Sequence, residues 1–252
     1  MKRILWLLIM FTLTPLAYSQ TTYTILAEDA AGLWGQTDGT GAGNDIVIAA
    51  YAAMGVKVKL SVVPYNRCKT FVMNGHALAC FGMGWSDELK GKVIFPQERL
   101  YTNTATIFVR KTDAHNTKSI ADIRPKTSIG TVLGYEYPNI FMRLLTSKAL
   151  VVDNALNESQ SLRKLAVGRI DLVIANIDDL KNAEYLIKQA GVTDSVEAAF
   201  ELESAGTFLG FATADAQTPA AMKTFDAGMA IIKRDGTLAK ILKNWKAKLV
   251  AE

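Results

Sequence analysis

Residues 76–85, HALACFGMGW, and residues 127–136, TSIGTVLGYE, decide how this chain folds. Each begins as a short run of small and apolar residues, the composition of a buried strand, and each stops at glycine and aromatic residues. Apolar runs of strand length lie around both, at 23–27, 56–63, 104–110, 150–152, 170–175 and 207–213. Helix-period stretches separate them at 45–54, 66–74, 158–167 and 179–188, with a further helix opening at Pro138. Strands alternating with helices predict an α/β protein with a mostly parallel sheet. Such sheets bind ligands beyond the carboxyl ends of their strands. The two quoted stretches are therefore read as matching strand ends that face each other across a cleft.

Glycines punctuate the helices: Gly55, Gly75 and Gly191 follow three of them, where a left-handed C-cap residue is wanted. In the helix at 66–74, Cys68, Phe71 and Val72 are expected on the buried face. Near the C-terminus Met222, Phe225, Met229 and Ile232 form one helical stripe. After the turn Asp235-Gly236, Leu238, Ile241, Leu242, Trp245 and Leu249 form another. Both stripes read as core.

The first residues, Met1-Lys2-Arg3 and then ILWLLIMFTLTPLA, have the basic, apolar, small-residue order of a secretory signal peptide, with cleavage expected after Ser19. The apolar run is short for a membrane span and Pro15 breaks it. A periplasmic chain with 1–19 removed is the expectation. Loss of Lys2 and Arg3 takes the 28 basic residues to 26, against 24 acidic ones, with the two signs intermixed. That distribution gives no nucleic-acid footprint. Half of the residues are hydrophobic, enough for one large core or two smaller ones.

Cys68 and Cys80 are the two cysteines. In an exported chain they read either as a disulfide, contributing about 3 kcal/mol by chain entropy, or as two independent buried thiols. Sequence does not supply the Cα separation that distinguishes these. His76 and His115 are the two histidines, and neither has metal-ligand spacing with the cysteines. No metal and no cofactor is expected.

Several short motifs follow one another along the chain: Gly41 to Ile46 as G-x-x-x-D-I, PYNR at 64–67, GMGWS at 82–86, and VRK at 109–111. SIADI (119–123), IGTVLGYEYP (129–138), GRIDLVI (168–174) and RDGTLAKILKNW (234–245) come next. In this order they resemble the extracytoplasmic solute-binding proteins of family 3, which feed ABC importers, many of them for polar amino acids. The resemblance implies a two-lobed type II periplasmic-binding-protein fold that closes on its ligand about two crossing segments. Carried onto this chain, lobe 1 takes 20–104 and 206–252, and the inserted lobe 2 takes 105–205. The crossovers fall at 103–105 and 204–206.

Amino-acid binders of this family grip the ligand carboxylate with an arginine three residues after a turn hydroxyl, a bidentate fork on a planar anion. Here Ser86 stands at the hydroxyl position and Leu89 at the arginine position, with Lys90 beside it. The acid that receives the ligand ammonium, five residues after Asp171, is replaced by Asn176. A zwitterion stripped of water needs both charges compensated. The pattern therefore argues against a standard α-amino acid.

Candidate ligand-binding residues come from the expected cleft edge: Glu28, Trp34, Tyr65, Arg67, Gly82, Met83, Trp85, Ser86, Tyr135, Glu136 and Asn176. Most carry a plainer alternative. Trp34 and Trp85 stack on a ligand ring or pack on a lobe. Arg67 binds an anionic group or forms a salt bridge at a helix start. Glu28 and Asp29 receive a cation or lie in a solvated loop. Residues 134–137 precede a helix whose free N–H groups suit an oxygen-rich ligand, and Glu136 is otherwise a helix-start acid.

The expected function is a monomeric, non-enzymatic receptor that captures a small polar solute and passes it to the membrane permease of an ABC importer. A soluble sensor subunit for a membrane receptor stays open. So does a hydrolase- or dehydratase-like enzyme, with Glu28, Asp29 and Glu136 as acid–base candidates, although no nucleophile–base pair of credible spacing occurs.

Overall fold

A computed structural model describes residues 21–29 and 32–251; the expected signal peptide lies outside them. Strand β1 (Thr22–Glu28) pairs parallel with β2 (Lys57–Val63) along its whole length, and β3 (Ala79–Met83) joins its other side at Leu26 and Cys80. The arrangement recurs in the second half. There β6 (Ser128–Val132) lies between β7 (Val151–Ala155) and β8 (Leu172–Ile177), again parallel. Two long antiparallel strands join the halves, β5 (Tyr101–Arg110) and β9 (Val196–Ala212), with Thr104 opposite Ser204. β9 also pairs with β3 and with the short β4 (Val93–Ile94), while β5 pairs with β8. The resulting order is β2-β1-β3-β9-β5-β8-β6-β7.

Helices cover both faces of each half, which gives the two-lobed α/β architecture that the sequence predicts. In lobe 1, α1 (Ala42–Ala53), α6 (Thr218–Arg234) and α7 (Thr237–Ala251) lie on one face and α2 (Tyr65–Met73) on the other. In lobe 2, α4 (Glu158–Ala166) and α5 (Ala183–Ala190) oppose α3 (Asn139–Ser147). α1 buries Ile46, Val47, Ala50 and Tyr51, one helical face. It crosses α6 so closely that a Cβ on Gly228 would lie 1.9 Å from the Ala50 carbonyl oxygen. The stripe Phe225, Met229 and Ile232 is core.

Three elements differ from the sequence reading. In α2 Phe71 is exposed, and Lys69 takes its place on the buried face with Cys68 and Val72. The helix expected at 179–188 starts only at Ala183, because Asp178 turns the chain first by accepting hydrogen bonds from Leu180 N–H (2.8 Å) and Lys181 N–H (2.9 Å). Asn182 then caps it by accepting from Tyr185 N–H at 2.8 Å. The late strand expected at 207–213 is the end of a 17-residue β9. Its first part is rich in the helix formers Glu, Ala and Leu, and pairing with β5 overrides that propensity.

Cys68 and Cys80 form a disulfide with a Cα separation of 5.6 Å, tying α2 to β3. Among the described residues no helix is long and apolar enough to cross a membrane, and no group of three His, Cys, Asp or Glu side chains is placed to hold a metal ion.

Candidate functional site

The carboxyl ends of four parallel strands converge between the lobes. Glu28 ends β1, and Gly82, Gly84 and Trp85 close β3. From lobe 2, Tyr135, Glu136 and Tyr137 follow β6, while Asn176 and Asp178 close β8 with Lys181 just beyond. Tyr101 and Asn103 of β5 and Gly206 of β9 line the cleft where the halves join.

Several polar contacts bridge the lobes across this cleft. Trp34 is stacked on Tyr101 at 3.8 Å between ring centroids, and its Nε1–H donates to Asp178 Oδ1 at 2.7 Å. Tyr135 Oη donates to Glu28 Oε1 at 2.7 Å. Glu136 reaches furthest: its Oε2 accepts from Gly84 N–H at 3.1 Å and from the Tyr65 hydroxyl, and Lys69 Nζ lies 2.9 Å from its Oε1. Lys69 also pairs with Glu88 at 2.7 Å and donates to the Gly134 carbonyl at 3.0 Å.

Behind Asp178, Lys181 donates to Glu158 Oε1 at 2.8 Å, and its Nζ lies 5.9 Å from the Tyr135 ring centroid. Both partners are buried. Charge is costly in such a place unless it is paired. Burial pushes the Glu28 carboxyl up to about 8, although Tyr135 and Lys181 pull the other way. It also raises Glu136, against Lys69, and Asp178, against Lys181. Burial works against the Lys181 charge, but Glu158 and Asp178 outweigh it and hold the ammonium above its ordinary range.

Gly82 is needed at its place. Its φ is +93°, and a Cβ there would lie 1.9 Å from Glu28 Oε2.

Of the sequence candidates, Glu28, Trp34, Gly82, Trp85, Tyr135, Glu136 and Asn176 lie along the cleft, with Trp85 57% exposed. Four others do not line it. Arg67 is on the exposed side of α2, because its helix turns Cys68 and Lys69 inward instead. Met83 alternates away from the cleft into the core around Cys80 and Leu89. Ser86 keeps its Oγ buried without a hydrogen-bond partner. Tyr65 is buried and touches the cleft lining through its hydroxyl on Glu136 and its ring against Tyr135, 5.1 Å between centroids. Leu89 is 1% exposed and belongs to the same core as Met83, so its side chain does not reach the cleft. Asp29, half-buried, donates its N–H to the Val63 carbonyl at 3.2 Å.

The residues that sequence reasoning missed include Lys69, Tyr101, Asn103, Tyr137, Glu158, Asp178, Lys181 and Glu203. One signal was present: Asp178 and Asn182 are two cap-type residues before an apolar helix, which marks a turn ahead of the helix start.

A hinged pair of α/β lobes with a polar cleft between them defines the class of type II periplasmic binding proteins. The chain belongs to the bacterial extracellular solute-binding proteins, family 3, whose family model matches residues 33–248. It is 29% identical over 146 residues to the L-cystine-binding protein TcyA of Bacillus subtilis (strain 168), an alignment covering 58% of this chain and 50% of that protein. The chain thus spans about half the length of that relative. An ancestral arginine-binding protein bound to arginine superposes with a TM-score of 0.74 at 21% identity, covering 90% of this chain and 98% of the other. A histidine kinase sensor domain with similarity to periplasmic binding proteins also gives 0.74, at 16% identity, covering 90% and 96%. These two likenesses concern the fold.

Proposed function

We propose that this chain is an exported receptor that captures a small polar solute between its lobes and delivers it to the permease of an ABC-type importer. It performs no chemistry on the solute. The observation that carries this reading is the polar cleft itself, at the carboxyl ends of β1, β3, β6 and β8, bridged by contacts that must break when the lobes part. Glu28, Trp34, Gly82, Trp85, Tyr135, Glu136 and Asn176 are the proposed ligand-facing residues, joined by Asp178 and Lys181. Lobe 1 is taken as 20–104 and 206–252 and lobe 2 as 105–205. In support, β5 changes register against β9 between Thr104 and Thr106, a place for the two strands to bend. A second reading, a soluble subunit that reports its solute to a membrane receptor, draws on the fold shared with the histidine kinase sensor domain.

The test is a panel of polar solutes read by thermal shift and small-angle scattering. A solute at a hundredfold its Kd adds about 2.7 kcal/mol, which for a chain of this size raises Tm by roughly 5–10 °C. The same solute is expected to lower the radius of gyration or hold it at the closed value. A panel that moves neither quantity removes the receptor reading.

A further inference from the structure

Glu136 belongs to lobe 2 but is held by lobe 1. Gly84 N–H, the Tyr65 hydroxyl and Lys69 Nζ all converge on its carboxylate. These are the groups of lobe 1 that suit an anion, and the chain fills them with a carboxylate of its own. An α-amino acid would bring a second carboxylate to the same corner, and Leu89 offers it no cation. Like charges forced together away from water are strongly unfavourable.

The remaining charge points the same way. Five carboxyl groups stand in or directly behind the cleft, Glu28, Glu136, Glu158, Asp178 and Glu203, facing two ammonium groups, Lys69 and Lys181. Negative groups stay in excess even with Glu28 neutral. Asp178 Oδ2 and Glu158 Oε2 are buried without hydrogen-bond partners. Lys181 does not oppose a cation strongly, because its charge is committed to Glu158 at 2.8 Å. Trp34, Tyr101, Tyr135 and Tyr137 supply aromatic faces around the space, surfaces that attract cations.

Resting on the receptor reading above, we propose that Glu136 is a built-in occupant of the anion-holding corner, and that the cleft takes a small organic cation without a carboxylate, an amine or guanidine whose charge is received by Asp178 while Glu28 accepts a hydrogen bond from it. The cation pairs with the unpartnered carboxylate oxygen of Asp178 and lies among the faces of Trp34, Tyr101 and Tyr135. Glu136 meanwhile keeps the lobes docked without drawing on the solute.

Matched pairs that differ only in the carboxylate test this by calorimetry on the mature chain: agmatine with arginine, histamine with histidine, cadaverine with lysine. At least one amine is expected to bind about tenfold tighter or more than its amino acid. Glu136→Ala vacates Gly84 N–H and Lys69 and is expected to shrink or reverse that preference. An unchanged preference in a folded Glu136→Ala variant overturns the role of Glu136, and the wild-type comparison decides the ligand class if the variant does not fold. Amino acids binding as tightly as their amines, or only neutral or anionic solutes binding, overturn the inference and leave the receptor reading intact. No binding by any class of solute overturns both.

Discussion

Glu28 ends β1 beneath the Tyr135 hydroxyl, and burial holds its carboxyl neutral up to about pH 8. A glutamate in the unfolded chain ionises near 4.5. Between those two values the folded chain binds the extra proton, so stability falls as pH rises through the window. Below it both states are protonated and Glu28 contributes no slope. Glu28→Gln removes the titration while keeping the size of the side chain. Glu136, Asp178, Lys181, Glu158 and Tyr135, the other groups facing this position, remain in both proteins. The variant is therefore expected to gain Tm relative to wild type as pH is raised from about 4.5 to about 8. Parallel Tm–pH curves for the two proteins would show that another group titrates. At this scale the sequence exposes whatever sits at a strand end: Glu28, Gly82, Tyr135 and Glu136 all follow apolar runs that stop. It hides Lys69 and Lys181, because a lysine on an amphipathic helix or turn normally faces water. Their burial depends on Glu136 and Glu158, acids distant in the chain. Arg67 shows the reverse: two residues from Lys69 in the same helix, it lies on the face that looks outward.

The element that most directly serves the cleft is α2, fixed to β3 through Cys68 and Cys80. Lys69 is next to the bridged residue on one side, and Gly84 lies four residues beyond Cys80 on the other. The bridge thus limits how far the cation that holds Glu136 can move from the N–H that shares the load. Closing a loop of this length contributes about 3 kcal/mol on the chain-entropy account. The double variant Cys68→Ala, Cys80→Ala is expected to lose Tm by roughly 6–12 °C, measured under non-reducing conditions. A loss within about 1 °C would show that packing alone holds α2. Helix-period and strand-period patterns made most elements legible, since each buries a recognisable face in its own lobe. The start of α5 is set by the side-chain turn at Asp178, which the cap-type residues Asp178 and Asn182 signal. The first part of β9 was hidden because its partner β5 lies about a hundred residues earlier, and local propensity carries no trace of a distant strand.

At the scale of the whole molecule, the echo between residues 76–85 and 127–136 makes two facing lobes readable from the sequence. Each stretch supplies one wall, and β5 and β9 carry the chain between them. Which charges oppose each other across the gap was not readable, because that depends on how the lobes close. Closure places the Trp34 indole in an unusual setting, stacked on Tyr101 with its N–H bound to a carboxylate of the other lobe. Parting the lobes breaks that bond and wets the ring. The fluorescence emission of Trp34 is therefore expected to move to longer wavelength on opening, and a solute that closes the cleft should return it. Trp245 is the natural reference, since its Nε1–H donates to Asp45 at 2.7 Å within lobe 1 and is untouched by the hinge. Trp34→Phe should abolish most of the spectral change, and persistence of the full change would assign it to exposed Trp85 instead. The side chain that bridges the lobes thus signals, by the colour of its own emission, whether they have parted.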